Sequence, residues 1–227
     1  MSPHARPIVS HGGHVFVVNT PADTVDVIDT RNRRIVARVD VGIDPVGLAM
    51  RPDGKELWVA NHVSDSVSVI DTDPRSLAYL HVIATVQDID PRSKATRFDE
   101  PVGIAFASDA KAYVALSSEN KIAVVDVHTR QVTKKLTSTA QDPRAIVVRG
   151  NRLYVLPFES NNKTQLSGGT GELDKEYETF DAHRHSIAVN TVLSIGHVTD
   201  IIKHPEGPDR DLYIFDTTTD KLVEVVD

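Results

Sequence analysis

Short apolar segments recur along the chain, and each carries an aromatic residue at its third position. These segments, at residues 14–19, 56–61, 111–116 and 152–157, read HVFVVN, ELWVAN, KAYVAL and RLYVLP. In an extended ELWVAN segment, Leu57 and Val59 point to one side, and Trp58 and Ala60 to the other. A strand with one solvated face would instead alternate apolar and polar residues. We therefore predict β-strands that are covered on both faces.

A second segment follows each of the first ones and carries an aspartate at its next-to-last position. These segments read TVDVIDT, SVSVIDT, KIAVVDV and DLYIFDT, and their aspartates are Asp29, Asp71, Asp126 and Asp216. A repeat of roughly 40–45 residues with several short strands is typical of a β-propeller blade. We predict blades at approximately residues 6–41, 45–86, 101–136 and 143–227, with loop insertions at residues 87–100 and 157–210. Because aspartate can accept hydrogen bonds from backbone amides just after it, the four repeated acids are predicted to anchor turns.

Turn motifs separate these strands. Pro-Val-Gly opens the second repeat at residues 45–47 and the third at residues 101–103, where glycine is expected to permit a tight bend. Pro52-Asp53-Gly54 predicts a turn between the first two strands of the second repeat.

These residues resemble a known family. LWVAN and SVSVIDT, with the Pro-Val-Gly and Pro-Asp-Gly turns, are similar to the YVTN-type β-propeller repeats of bacterial surface and periplasmic proteins. The resemblance implies an all-β fold, a β-propeller of four-stranded antiparallel blades, and a periplasmic or extracellular location. Related propellers occur in lactonases and as the amino-terminal domain of nitrous oxide reductase. About four blades are present, which predicts a partial or open arc of a roughly seven-bladed ring. The chain would then be a fragment, or a half-ring that self-associates through exposed blade edges.

Bulk composition excludes several classes of function. The chain has 227 residues and a net charge of −7, which argues against nonspecific binding to nucleic acid. No apolar segment approaches the ~20 residues of a membrane-spanning helix, and residues 1–10 lack the apolar core of a signal peptide. The absence of cysteine excludes disulfides and thiolate catalysis within this chain.

Loop position suggests which end of the blades is functional. Loops from an outer strand to the next blade, and loops between the second and third strands, emerge on the same face of a propeller. Both predicted insertions belong to these two kinds, so the chain is expected to enlarge one face only, with short turns such as residues 31–34 and 128–131 on the other. Long loops on a rigid scaffold are often functional, which favours binding of a protein or glycan there. The alternative is a neutral insertion at a tolerant position.

Histidines on this face are candidate metal ligands. His183 and His185 form a His-x-His pair, and with His62 they could bind copper or zinc through imidazole nitrogens. The alternative is that these are solvated loop residues. No catalytic or cofactor-binding residue is assigned, since no Gly-x-Ser-x-Gly motif is present. The leading hypothesis is a non-enzymatic scaffold that binds through the insertion-bearing face, and the alternative is a lactonase-like enzyme or a metal-binding propeller.

Overall fold

The computed structural model describes residues 4–137, 141–159, 164–166, 178–181, 200–203 and 210–226. Contacts within the chain define two units. The first contains Met1–Glu159 and Leu212–Val226, and the second contains Ser160–Asp211.

The first unit begins with three complete antiparallel sheets of four strands each. Blade 1 contains β1 (Ile8–His11), β2 (His14–Asn19), β3 (Thr24–Asp29) and β4 (Arg34–Asp40). Blade 2 contains β5 (Pro45–Met50), β6 (Glu56–Asn61), β7 (Ser66–Asp71) and β8 (Val82–Val86). Blade 3 contains β9 (Pro101–Ser108), β10 (Lys111–Leu116), β11 (Lys121–Asp126) and β12 (Gln131–Leu136).

The fourth sheet of the first unit is interrupted by the second unit. Blade 4 starts with β13 (Gln141–Arg149) and β14 (Arg152–Glu159). The second unit then contributes a separate sheet of β15 (Thr164–Leu166), β16 (Glu178–Asp181) and β17 (Asp200–Lys203), with β17 in the middle. Strands β18 (Leu212–Asp216) and β19 (Lys221–Val226) complete blade 4. The predicted all-β fold with four-stranded antiparallel blades is therefore confirmed.

Burial differs between the middle blades and the outer ones. In blade 2 all six residues of β6 are buried, and Trp58 and Tyr113 are both 0% exposed, which confirms strands covered on both faces. In β2 of blade 1 only Phe16 and Val18 are buried. Apolar side chains are accordingly exposed in blades 1 and 4, among them Ile8, Ile35, Val147 and Leu156. The apolar face of a sheet is thus buried only where another blade lies against it.

The inner strands of neighbouring blades approach each other closely. A Cβ added to Gly47 of β5 would overlap the carbonyl oxygen of Val102, and one added to Gly103 of β9 would overlap that of Arg144. Both glycines lie inside strands, so the expected tight bend at the Pro-Val-Gly motif is wrong. Glycine is needed there because the backbone of the next blade leaves no room for a side chain.

The repeated aspartates anchor turns as predicted. The Oδ1 of Asp29 accepts hydrogen bonds from the backbone N–H groups of Arg31 and Asn32, at 2.9 Å each. The equivalent carboxylates of Asp71, Asp126 and Asp216 accept backbone N–H groups two or three residues later in the chain. Among the described residues the one helical element is a 3₁₀ turn at Thr20–Ala22, and no helix there is long and apolar enough to cross a bilayer.

Candidate functional site

His62 lies in the turn between β6 and β7, on what we call the insertion face, which carries residues 41–44, 62–65, 87–100 and 117–120. Its side chain is 14% exposed, and Nε2 lies 3.9 Å from Glu100 Oε2. Its Nδ1 is buried and makes no hydrogen bond. His183 and His185 lie outside the described residues. The described part of the chain contains no group of three or more His, Asp or Glu residues arranged to hold a metal ion.

Each boundary between neighbouring blades is joined on this face by the same hydrogen bond. The last residue of the turn between the second and third strands accepts the backbone N–H of the residue just before the proline of the next inner strand, which is Pro45, Pro101 or Pro143. The three pairs of acceptor and donor are Asp23 with Asp44, Asp65 with Glu100, and Asn120 with Asp142. All six residues have positive φ, which Asp and Asn tolerate better than most side chains. This bond ties each turn to the loop beside it, and it was not predicted because its members come from different repeats.

The insertion at residues 87–100 is held against blades 2 and 3. Phe98 is fully buried in the apolar cluster that contains Trp58 and Val114. Within the insertion, Asp90 accepts the backbone N–H groups of Arg92 and Ser93. The loop therefore presents its exposed residues from a fixed base, in the way that binding loops are often held.

Two acidic side chains, Asp65 and Glu119, accept hydrogen bonds from the backbone at the end of this insertion. Burial, with the nearby charges of Asp99 and Glu100, raises the pKa of Asp65, although the N–H of Glu100 donates to its carboxylate. Glu119 is also partly buried, but hydrogen bonds from Lys135 and from the backbone of Asp99 outweigh burial and lower its pKa. The insertion is thus attached through both apolar packing and charged hydrogen bonds.

Two branched apolar side chains are exposed beside this insertion. Ile43, in the loop between blades 1 and 2, is 54% exposed, and Val63, in the turn after β6, is 61% exposed. The two loops are adjacent, since the N–H of Val63 donates to the carbonyl of Ile43 at 3.3 Å. The insertion face therefore combines a small apolar patch with charged residues of the same two loops, Asp44 and Asp65.

The opposite face carries residues 12–13, 51–55, 72–81 and 127–130. At its boundary between blades 2 and 3, Glu56 accepts hydrogen bonds from Arg130 Nη2 at 2.6 Å, Arg51 Nη1 at 3.0 Å and Trp58 Nε1 at 3.0 Å. Burial opposes ionisation of Glu56, but the bonds from Arg130 and Trp58 lower its pKa overall. The Arg130 guanidinium also lies 5.5 Å from the centre of the Trp58 ring, within the range of a cation–π contact.

The boundary between blades 3 and 4 has the same arrangement with the charges exchanged. Lys111 occupies the strand position of Glu56, and its Nζ lies 2.6 Å from Asp220 Oδ1. Asp220 occupies the turn position of Arg130. The Tyr113 hydroxyl donates to the same carboxylate, so burial and this acceptor together raise the pKa of Tyr113. A carboxylate and a cation therefore meet at both boundaries, and in each the cation lies over a buried aromatic ring, that of Trp58 or of Tyr113.

The boundary between blades 1 and 2 differs. His14 and Phe16 occupy the strand positions, but residues 72–81 replace the short turn that connects the third and fourth strands of the other blades. A cavity of about 380 Å³ lies there, lined by residues that include His11, His14, Phe16 and Lys55. The expectation that only one face is enlarged is therefore wrong.

The longer connection is difficult to recognise in the sequence. Its last residues, Leu80 and His81, continue into an apolar segment, so the sequence pattern predicts an outer strand from Leu80, whereas in the structure this strand begins at Val82. Leu80 instead has a φ of 59°, and the carboxylate of Asp71 accepts the hydroxyl of Ser76 at 2.6 Å to hold the connection in place. The one indication in the sequence is the number of residues between the repeated aspartate and the outer strand, which is larger after Asp71 than after Asp29 or Asp126.

Comparison with known proteins agrees with the propeller fold. Residues 1–189 match the family model described as lactonase, seven-bladed β-propeller. The chain belongs to this family. No curated protein matches this lactonase-family propeller in sequence.

Two solved structures share the fold. The hydrazine synthase of Kuenenia stuttgartiensis is 23% identical with a TM-score of 0.63, over 99% of this chain and 50% of that chain. The β-propeller domain of Myceliophteria thermophila Cps50 (Swd1) is 15% identical with a TM-score of 0.55, over 68% of this chain and 48% of that chain. The propeller described above thus spans about half the length of each solved chain.

Proposed function

We propose that this chain is a non-enzymatic propeller scaffold that binds a protein partner through its insertion face. The observation that carries the proposal is the exposed pair Ile43 and Val63 beside the anchored loop of residues 87–100. Protein interfaces combine an apolar centre with a polar rim, and Asp44 and Asp65 belong to the same two loops as this pair. Arg92, Lys94 and Arg97 of the loop are exposed and would form part of that rim.

A photo-crosslinking amino acid placed at position 63 tests this proposal. We expect it to capture a partner in an extract of the source cells, whereas the same amino acid at Leu77 does not. Leu77 is an apolar residue that is more exposed than Val63, but it lies in the connection on the opposite face. The captured partner is then purified, and its affinity for the unmodified chain is measured by calorimetry.

Matched substitutions give the decisive comparison. Ile43→Asp and Val63→Asp should each weaken binding of the purified partner by at least about tenfold, because a charge would be buried in the apolar centre. Leu77→Asp should leave the affinity unchanged. Equal loss with all three variants would rule out the insertion face, and binding of a glycan in place of a protein would change the class of partner.

A second function is favoured by the family match. Lactonases hydrolyse lactones, so the alternative is a lactone-hydrolysing or metal-dependent enzyme that uses the insertion face. His62 is the described candidate, with its buried and unpaired Nδ1 close to a carboxylate. Stoichiometric copper or zinc in the purified chain that is lost in His183→Ala and His62→Ala, or lactone hydrolysis above the buffer rate, would favour the enzyme.

We further infer that the scaffold functions in the bacterial periplasm or outside the cell, as the YVTN-type resemblance implies. The exposed apolar faces of blades 1 and 4 support association with further propeller blades, from a second copy or from a longer chain. Sedimentation of the purified chain at increasing concentration tests self-association, and fractionation of the source cells tests the location.

A further inference from the structure

A cavity on the opposite face lies between blades 1 and 2, away from the insertion face. Its volume of about 380 Å³ is within the usual range for small-ligand sites. The hairpin turn of blade 1, the turn between β5 and β6, and the connection of residues 72–81 form its walls. Its lining residues are His11, Gly12, His14, Phe16, Asp53, Gly54, Lys55, Thr72, Asp73, Pro74, Arg75 and Tyr79.

Both carboxylates of this cavity already have partners. Asp73 accepts two hydrogen bonds from the Arg75 side chain, at 3.1 Å each. These bonds lower the pKa of Asp73 to about 2. Asp53 accepts the backbone N–H of Lys55 at 3.0 Å and lies 3.5 Å from Arg51 Nε. Neither acid is therefore free to bind a cationic ligand without losing a protein partner.

The donors of the cavity, in contrast, are largely unused. Within the described residues, Lys55 Nζ makes no hydrogen bond or ion pair, although its charge lies near Asp73. The rings of His11 and His14 and the hydroxyl of Tyr79 likewise have no hydrogen-bond partner there. A ligand that complements these groups must supply acceptors and negative charge.

Aromatic rings form the apolar part of the cavity. Phe16 is 2% exposed and lies at its base, and the His14 ring is centred 6.3 Å from the Phe16 ring at an angle of 56°. Tyr79 and Pro74 complete this part of the lining. A planar ring would pack against these side chains, because aromatic pairs favour offset or tilted stacking at such distances.

The other two blade boundaries each contain an ion pair that this boundary lacks. A carboxylate and a cation form an ion pair at the corresponding place between blades 2 and 3 and between blades 3 and 4. His14 occupies that strand position in blade 1, and no described residue of blade 2 forms an ion pair with it. We propose that this cavity binds a small organic anion, a ring that bears a carboxylate or a phosphate, with its charged group at Lys55 and the histidines.

Nuclear magnetic resonance of the histidine ring C–H groups tests this proposal with four probes. Benzoate and phenyl phosphate carry both features, benzyl alcohol carries only the ring, and inorganic phosphate carries only the charge. We expect saturable shifts of the His11 and His14 signals with the first two probes. Of those two probes, the one with the lower dissociation constant identifies the charged group that the cavity prefers.

Two variants identify the anion contact. Lys55→Met should weaken binding of the tighter probe by at least about tenfold, since a charge-assisted hydrogen bond is lost. Lys94→Met removes the same charge from the insertion face and should leave binding unchanged. The thermal midpoint of each variant shows that it is folded.

Three outcomes would overturn the proposal. These are no saturable shift with either ring-bearing anion, equal binding by benzyl alcohol or by inorganic phosphate, and unchanged affinity in Lys55→Met.

Discussion

The boundary between blades 2 and 3 and the boundary between blades 1 and 2 use the same strand positions with different side chains. In the first, Glu56 and Trp58 meet Arg130, and the space between the blades is filled. In the second, His14 and Phe16 face a longer connection, and a cavity remains. One pattern of strands can therefore give either a closed structural contact or a candidate binding site.

On the insertion face the two boundaries differ in loop length, residues 41–44 against residues 87–100, but they share one hydrogen bond. On the insertion face, Asp23 and Asp65 make the same hydrogen bond to the next blade at the two boundaries. The strand register is also the same, since Phe16 pairs with Val27 as Trp58 pairs with Val69. The cavity thus depends on the length of one connection and on two side chains, and the blade framework is unchanged.

The largest difference between the boundaries is expected from removal of the aromatic residue. Trp58→Ala should lower the free energy of unfolding by about 4 kcal/mol, because a fully buried ring and its hydrogen bond to Glu56 are lost. Phe16→Ala should cost about 3 kcal/mol, because Phe16 already borders an open cavity. Urea unfolding followed by circular dichroism measures both. Equal losses would show that the two boundaries are packed alike.

Two glycine substitutions compare a contact with backbone, at Gly47, and a contact with an exposed side chain, at Gly54. Gly47→Ala should cost about 3 kcal/mol or more, since the new Cβ would overlap the backbone oxygen of Val102. At Gly54 the Cβ would meet the ring of His11, which is exposed and can move away. The cost there should be about 1–2 kcal/mol, from the positive φ of 72° alone. A larger loss at Gly54 than at Gly47, from thermal unfolding, would reverse this interpretation.

A double-mutant cycle measures the ion pair at the closed boundary. Glu56→Gln, Arg130→Met and the combined variant should give a coupling free energy of about 2 kcal/mol, because both side chains are largely buried. Arg38 and Asp26 form a pair in blade 1 whose arginine is 64% exposed, and they serve as the control, with a coupling below about 1 kcal/mol. Similar coupling in the two cycles would mean that burial does not strengthen the inter-blade pair.

The dependence of stability on pH should reflect ionisation of the Glu56 carboxylate. The folded-state pKa of Glu56 is below its usual value of about 4.3, so its ionised form stabilises the fold above that pH. This stabilisation is lost as the pH falls through the folded-state pKa. Glu56→Gln lacks it, so the stability difference between the two proteins should shrink below about pH 4. A difference that stays constant from pH 7 to pH 3 would contradict the assignment.

The smallest effect is expected at the hydrogen bond that the two boundaries share on the insertion face. Asp23→Asn and Asp65→Asn keep an acceptor for the backbone N–H of the next blade, as Asn120 does in blade 3. Each should change the free energy of unfolding by no more than about 0.5 kcal/mol. A loss above about 1 kcal/mol in one variant only, measured by urea unfolding, would place part of the difference between the boundaries on this face.

Much of the fold could be predicted because each blade repeats its own local pattern. Consecutive apolar residues around Trp58 and Tyr113 predict strands covered on both faces, and the aspartates at the ends of the third strands predict their turns. The candidate sites were less predictable. The cavity depends on residues 72–81, whose end reads as a strand, and the neighbour of His62 is Glu100, from another repeat.

The sequence alone determined that the chain forms four-stranded blades, because strand pattern and turn chemistry act between residues close in the chain. The tertiary structure decided what lies between the blades. The exchanged charges of Glu56 with Arg130 and of Lys111 with Asp220, and the cavity beside His14, arise from side chains of different repeats. Their contacts depend on how neighbouring sheets pack, and the spacing of residues along one strand does not specify that.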